Sequence, residues 1–377
     1  MVNDYLLQWR DDFGIIRNLD VLHVRVTSTN GANTNIAEIT LPSTKYTLDG
    51  EFFLKTGESI TIYASNDGII NRNNPEVQYL IGTYRILRYS GDDNAHTYTV
   101  YAMDMTYFLL SRIWAGDVQG TAPEIVSNIV QTINEDGIEQ DPVPTQIQQV
   151  RSDGSPFPTI RLASAYRTAF DLLSEISQIS NTGDTLPYIF YIDPEGKFIW
   201  EFPLDEPAQL ELEYGKEPVM KFSHDINEAQ KINFVIFDCG EDKNGNAILQ
   251  FELAENAGTI EGSQHFEPMT DIARDLRYSL GAAYDTIDNT DFRELCIREG
   301  KARAQSIIDS TGRGLRKTTL ELRGGKYIMS SLHKLKSNTL LVQNLRVERV
   351  VHTMDRHGWR TTVEFLQDPQ ARESLIV

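Results

Sequence analysis

The chain has 377 residues, 40% of them hydrophobic and 24% charged, with a formal net charge of −19; these are the values of a globular protein with two or three domains, and they exclude wholesale disorder. The acidic excess is spread along the chain and argues against a surface that grips phosphate backbones, which needs clustered Lys and Arg; it serves solubility, or else forms a wall past which nucleic acid slides without sticking. Two cysteines, Cys239 and Cys296, make no disulfide framework, no apolar run reaches the length of a membrane span, and the N-terminus lacks a basic-then-apolar signal, so a reducing cytoplasm is the expected setting.

Taken in order, Tyr5, Leu6, Leu7 and Trp9 form an apolar cluster ahead of Arg10-Asp11-Asp12, either an arm that docks elsewhere or a first strand. From about residue 20 the period becomes two, with Leu22, Val24 and Val26 alternating with polar residues. Further strands are predicted at Ile36–Leu41, Ser59–Ala64, Val77–Tyr89 and Thr97–Ala102. Turn signals separate them at Asn30-Gly31, Asp49-Gly50, Asn66-Asp67-Gly68 and Gly91–Asn94. Strands at this spacing make a compact antiparallel sheet or barrel. Asp104–Trp114 leaves the β pattern, and Gly116–Gly120 reads as a loop. Thr121-Ala-Pro-Glu124 then has the form of a capping box opening a helix through Ile125, Val126, Ile129, Val130 and Ile133, ended near Asp136-Gly137. Residues 138–160, rich in Pro and Gln, read as a long loop or extended segment.

The middle of the chain, Ser164–Phe202, reads as a helix laid against a hairpin. Ser164 is the expected cap, and Ala165, Ala169, Phe170, Leu173, Ile176 and Ile179 fall mainly at helical spacing, with Asn181 and Gly183 as the stop. Tyr188–Ile192 and Lys197–Phe202 are strands joined by Asp193-Pro194-Glu195-Gly196, which suits a type I turn. Strands resume at Val219–Phe222, at the apolar run Lys231–Asp238, and at Ala247–Leu253 after the turn-forming Asp242–Asn246. Residues 255–290 are irregular and part helical. Asp291–Ser310 is a helix closed by Gly312, with Arg293, Arg298, Lys301 and Arg303 on its polar side. Leu315–Arg323 alternates, Asn338–Met354 is a long β run, and Asp355–Gly358 turns it into Trp359–Leu366. The apolar end Leu375-Ile376-Val377 either docks or frays.

No catalytic motif stands out. His-Glu-x-x-His, Cys-x-x-Cys and Gly-x-Ser-x-Gly are all missing. Gly312–Thr318 lacks the Gly before Lys and follows a helix where a phosphate loop follows a strand. Asp242–Asn246 lacks the Gly and Glu of a calcium loop, with Ala247 and Leu253 in their places. His352 and His357 flank one turn and permit a shared metal, but turn and strand roles suit them better. No catalytic, cofactor-binding or metal-ligating residues are therefore expected, and no enzyme activity. Trp9, Trp114, Trp200 and Trp359 are expected in cores or interfaces. The Pro/Gln-rich 138–160 and the apolar tail are the candidate subunit contacts.

Three stretches then resemble the baseplate hub proteins of tailed bacteriophages, a group similar to the hub portion of the type VI secretion spike. They are Ala102–Asp104 through Trp114–Asp117 and Thr121–Val126; Ala169–Ile176 with Tyr191–Phe198; and Val347–His352 with Gly358–Phe365. The resemblance implies a mainly β, α+β chain with two tail-tube-like antiparallel β-barrels and a peripheral helix–hairpin domain. Residues 1–115 would be the first barrel and 116–210 the peripheral α/β insert. Residues 211–255 with 315–366 would be the second barrel, 256–314 a helical excursion packing with the insert, and 367–377 a tail. It further implies a homotrimeric structural adaptor in the virion, assembled in the host cytoplasm, between a sixfold tail tube or distal tail ring and a threefold central spike. DNA would pass through its lumen without specific binding, and a spike or lysin would be a separate protein. A tail-associated cell-wall hydrolase and a receptor- or carbohydrate-binding module remain as alternatives.

Overall fold

The computed structural model describes residues 4–11, 13–29, 35–48, 51–66, 70–92, 96–135, 144–151, 154–157, 159–179, 188–202, 210–213, 218–227, 232–253, 263–311, 315–327, 332–336, 340–367 and 373–375. Strand predominates, as the alternation in the sequence predicts. The largest sheet is one path of antiparallel neighbours: Val219–Asn227, Leu315–Leu322, Gly358–Gln367, Leu340–Asp355, His23–Thr29, Ile36–Pro42, Thr97–Met103, Leu80–Asp92, Ser59–Ser65, Asp4–Arg10 and Ile16–Leu19. The apolar start of the chain is thus a strand, with Leu6, Leu7 and Trp9 buried. Among the described residues the path stays open and closes into no barrel.

One hairpin joins the two halves of this path. Leu340–Asp355 is a 16-residue strand, and Gly358–Gln367 returns along it. Its turn is held by Asp355, whose carboxylate accepts the His357 backbone N–H at 2.7 Å and the Arg360 guanidinium at 2.8 Å, while Gly358 supplies the positive φ of 102°. The register shifts between Val347 and Arg349, a bulge that strengthens local twist. Beyond it, Arg349–Asp355 pairs with His23–Thr29. Side chains near the open end of the hairpin, Leu345, Val347, Val363 and Phe365, pack with Leu212, Val219, Leu320 and Leu322. At the closed end Met354 and Trp359 enter a different core, with Val24, Val26, Ile39, Leu41, Ile60 and Ile62.

The insert has its own core. Ala122–Glu135 starts as its sequence predicts, with the Glu124 carboxylate accepting from the Thr121 N–H at 2.7 Å and the Thr121 hydroxyl at 2.9 Å. Ile125, Val126, Ile129 and Val130 pack on Phe170, Leu173, Ile176 and Trp200. Two local expectations are corrected. Gly116–Gly120 is not a loop but part of the strand Ile113–Thr121, paired with Thr159–Thr168; a side chain at Gly116 would strike the Trp114 ring at 2.7 Å, so the glycine makes room for the buried indole. Ser164 lies within that partner strand and does not cap the helix. The helix is Ala169–Ile179, and the Thr168 hydroxyl accepts the Asp171 N–H at 3.1 Å. The hairpin Ile189–Ile192 with Phe198–Glu201 forms as expected around Gly196, at φ 86°.

Ile232–Glu241, Ala247–Leu253 and Ser263–Pro268 form a separate three-stranded sheet, with Ile232–Glu241 central. Of the residues expected with 315–366, Val219–Asn227 pairs with Leu315–Leu322, and Ile232–Leu253 lies in this separate sheet. The reason is burial. Val235, Phe237, Cys239 and Ile248 pack against Ile272, Phe292, Cys296 and Ile308 from helices Asp271–Leu280 and Asn289–Thr311. Asp242 anchors the hairpin loop. Its carboxylate accepts the N–H groups of Asn244 and Asn246, both at 2.9 Å, and the Arg293 guanidinium at 2.9 Å, and these bonds hold it far below the usual carboxylate range. The Asp242 loop is thus a turn staple to the long helix.

The shared hairpin makes a quantitative prediction. Trp359→Ala empties the closed end of the N-terminal core and should lower unfolding stability by about 3–5 kcal/mol, read as a fall in the urea midpoint at unchanged slope. A change below about 1 kcal/mol would show that the indole is not a core anchor.

Candidate functional site

The sheet, the hairpin and the insert meet around a cavity of about 370 Å³. Tyr84 and Asp104 line it from the N-terminal half, Tyr191 and Pro194 from the insert hairpin, His352 from the strand Leu340–Asp355 and Lys326 from the loop after Leu322. A short loop, Arg323–Tyr327, brings the last group into place. Gly324 and Gly325 take positive φ angles of 65° and 109°. A side chain at Gly324 would collide with Asn66, so the backbone can lie against the N-terminal sheet only as glycine. The Gly325 carbonyl accepts the Thr361 hydroxyl at 3.1 Å, and the Lys326 ammonium donates to the Gln78 carbonyl.

Asp104, His352 and Lys326 are each held by hydrogen bonds here. Asp104 is buried at the start of helix Thr106–Ser111; it accepts Asn35 Nδ2–H at 2.5 Å, the Thr106 N–H at 3.0 Å and the Thr106 hydroxyl. Burial raises its pKa to about 6, against the pull of those hydrogen bonds. His352 is buried against Trp359, whose indole N–H donates to His352 Nδ1 at 3.2 Å. Desolvation, with a smaller contribution from the Lys326 charge, lowers its pKa to about 3, so it is the neutral acceptor. Lys326 counts as exposed as a whole residue, yet desolvation pulls its amine down to about 8. Burial pushes Tyr327 up to about 12, and raises Tyr84 and Tyr191 as well. His333, between Tyr327 and Phe365 at ring distances of 5.6 and 5.5 Å, is lowered by burial to about 4. The Lys326 bond ties the glycine loop to the N-terminal sheet, and the Thr361 bond ties it to the hairpin.

The structure separates residues that the sequence left adjacent. His352 is buried and His357 lies on the exposed turn beside Arg356, so they share no site. Among the described residues, no group of three His, Cys, Asp or Glu is placed to hold a metal, and no helix is long and apolar enough to cross a membrane. All four tryptophans are buried. Cys239 and Cys296 are buried free thiols, with burial pushing them up to about 12 and about 11. Of the candidate contacts, Glu373–Leu375 pairs with Leu340–Val342 in the chain's own sheet, while Ile376 and Val377 lie outside the described residues. From 138–160, Thr145–Ile147 pairs with Phe198–Trp200 and Phe157 is buried in the insert core; residues 136–143, 152–153 and 158 lie outside the described residues. The sequence reading missed Lys326, Tyr327 and Asp104. The available signal was the Gly324-Gly325 pair between two strands.

Compared by sequence, the chain matches no protein-family model and no curated protein. Its fold is that of phage tail proteins. It is similar to the 43 kDa tail protein of prophage MuSo2 from Shewanella oneidensis, with a TM-score of 0.62 at 12% identity over 97% of this chain and 98% of that one. A tail protein from Neisseria meningitidis MC58 superposes with a TM-score of 0.61 at 10% identity, covering 97% of both chains. Prophage tail protein gp18 from Listeria monocytogenes EGD-e gives 0.54 at 8% identity, over 97% of this chain and 95% of that one.

The junction carries a pH prediction. A histidine at about 6.5 when unfolded and about 3 when folded contributes stability that is present above pH 6.5 and is lost as the pH falls toward 3. The expected loss is about 1 kcal/mol per pH unit in that window. Asp104 acts in the opposite sense between about 4 and about 6, because its folded pKa is the higher one. Comparing wild type with His352→Gln, which keeps an acceptor for Trp359, isolates the histidine. The variant's stability should fall less steeply between pH 6 and 4 in urea titrations. Parallel curves would show that His352 is protonated in the fold.

Proposed function

We propose that this chain is a structural baseplate hub of a bacteriophage tail, without catalysis. Three copies form a ring, and each contributes two tube-like β units. One is residues 1–115; the other combines 219–227 with 315–366. The insert 116–210 and the helices within 256–314 lie on the outside. The ring adapts a sixfold tail tube or distal tail ring to a threefold spike, as a virion component put together in the host cytoplasm, and DNA passes through its centre. The observation that carries this reading is the likeness to tail proteins over nearly the whole length of both chains.

Two structural features support it. The long hairpin feeds both β cores, which is what a rigid subunit presenting two related faces requires. Asp104, His352 and Lys326 at the cavity are each held by hydrogen bonds within the fold, to Asn35, to Trp359 and to the Gln78 carbonyl, which suits fastening better than turnover. An acidic chain also suits a channel, since a negative wall repels the phosphate backbone and lets it slide. A carbohydrate-binding module is the weaker reading, because none of its four tryptophans is exposed as a platform.

The test is the native mass of the purified protein, alone and with its genomic neighbours co-expressed, together with negative-stain images. A three-subunit ring with a central hole is the expected result. A chain that stays monomeric even with those neighbours, or one that clears a peptidoglycan suspension, would contradict the reading.

A further inference from the structure

The cavity at the junction keeps hydrogen-bond donors that the fold does not use. Its volume of about 370 Å³ lies in the range of small-molecule sites. Leu80, Ile81, Ile192, Pro194, Ile199 and Val350 give it an apolar wall. Lys326 and His352 also line it, close enough for the lysine charge to act on the imidazole. The Lys326 ammonium gives one N–H to the Gln78 carbonyl and keeps two. Among the described residues no carboxylate pairs with it. His352 Nδ1 accepts from the Trp359 indole, a group that can only donate, so the neutral ring carries its proton on Nε2. That N–H has no acceptor among the described residues, although His352 is only 6% exposed. Tyr84, 3% exposed and within the field of Asp104, adds a hydroxyl that also makes no hydrogen bond among the described residues.

We infer that this cavity binds a small monocarboxylic acid with an apolar body, whose carboxylate takes the free N–H groups of Lys326 and His352 and whose body lies along the apolar wall. Three arguments select this class. A cation drawn partly out of water with no carboxylate beside it has lost hydration without return, and a bound anion restores the balance. Donors from two residues match the two oxygens of one carboxylate, and the bond from the ammonium is charge-assisted. One cation, with Asp104 lining the same cavity, balances a single negative charge, whereas a phosphate monoester brings close to two. The Tyr84 hydroxyl remains for a polar substituent or a water. The inference goes beyond the hub reading and does not depend on it. A ligand that touches the N-terminal half, the insert hairpin and the strand Leu340–Asp355 together finds its site only in the folded chain, so its binding tightens the junction.

Isothermal titration of the full chain with phenylacetate tests this. The expected dissociation constant is below about 1 mM, and saturating phenylacetate should raise the urea midpoint. Phenylacetamide has the same shape without the charge and should bind about tenfold more weakly. Lys326→Met keeps the stem and removes the charge; it should weaken phenylacetate by about tenfold and leave phenylacetamide unchanged. Pro194 lines the cavity yet is exposed, so it stands at the rim, and Pro194→Trp should weaken both probes by obstructing the entrance. Both substituted residues are exposed, so neither change opens a core, and circular dichroism checks that each variant is folded. No heat and no midpoint shift with phenylacetate would overturn the inference. Equal binding of acid and amide, tighter binding of phenyl phosphate, or full affinity in either variant would overturn it as well. Ring assembly is read separately by native mass: a chain that forms rings but ignores phenylacetate loses this ligand site and keeps the hub reading.

Discussion

A strand of 16 residues spans roughly 50 Å, about three times the usual length, and no single core can bury it. Leu340–Asp355 resolves this by serving two. Its first part, with the returning strand, lines the core of Leu320 and Leu322; past the bulge at Val347–Arg349, its far end crosses to pair with His23–Thr29 and delivers Met354 and Trp359 into the N-terminal core. Strand alternation leaves little freedom in this. A slip of one residue would turn every buried side chain outward in both cores at once. The relation between the N-terminal and C-terminal β units is therefore set by backbone pairing and not by a linker.

The loop Arg323–Tyr327 fixes the same relation from the side. Two glycines let its backbone lie on Asn66, and Lys326 reaches the Gln78 carbonyl. The insert hairpin closes the remaining side through Tyr191 and Pro194. Polar groups buried at such a junction are stabilising only when their bonds are made, and those of Asp104 and His352 are made locally, to Asn35 and Thr106 and to Trp359. The burial that lowers the proton affinity of His352 makes the junction sensitive to acid, while the burial that raises that of Asp104 opposes the loss between about 6 and about 4.

Much of this was legible in the residues, for local reasons. The capping box at Thr121–Glu124, the Asp193–Gly196 turn, the long helix from Asn289 and the hairpin turn at Asp355–Gly358 depend on neighbours in sequence, and they form where their residues predict. What was misread depended on distant partners. Gly116–Gly120 has the composition of a loop and becomes a strand because Thr159–Thr168 pairs with it. Ser164 looks like a cap and is drawn into that same pairing. Ile232–Leu253 reads as strand and turn, and its helix partners Phe292, Cys296 and Ile308 come from a distant stretch. The junction was invisible because Asp104, Lys326 and His352 come from three separate stretches, and no motif announces residues that meet only in the fold.

A strand pair shared by both β units resists shear between them. Native-state hydrogen exchange across a series of low urea concentrations tests this most directly. If the hairpin binds the two β units into one, amides in Val350–Met354 and Trp359–Phe365 exchange last, and the N-terminal and C-terminal strands lose protection together with them, at one common free energy. Two separate free energies, with the hairpin protected alongside only one β unit, would contradict the shared core.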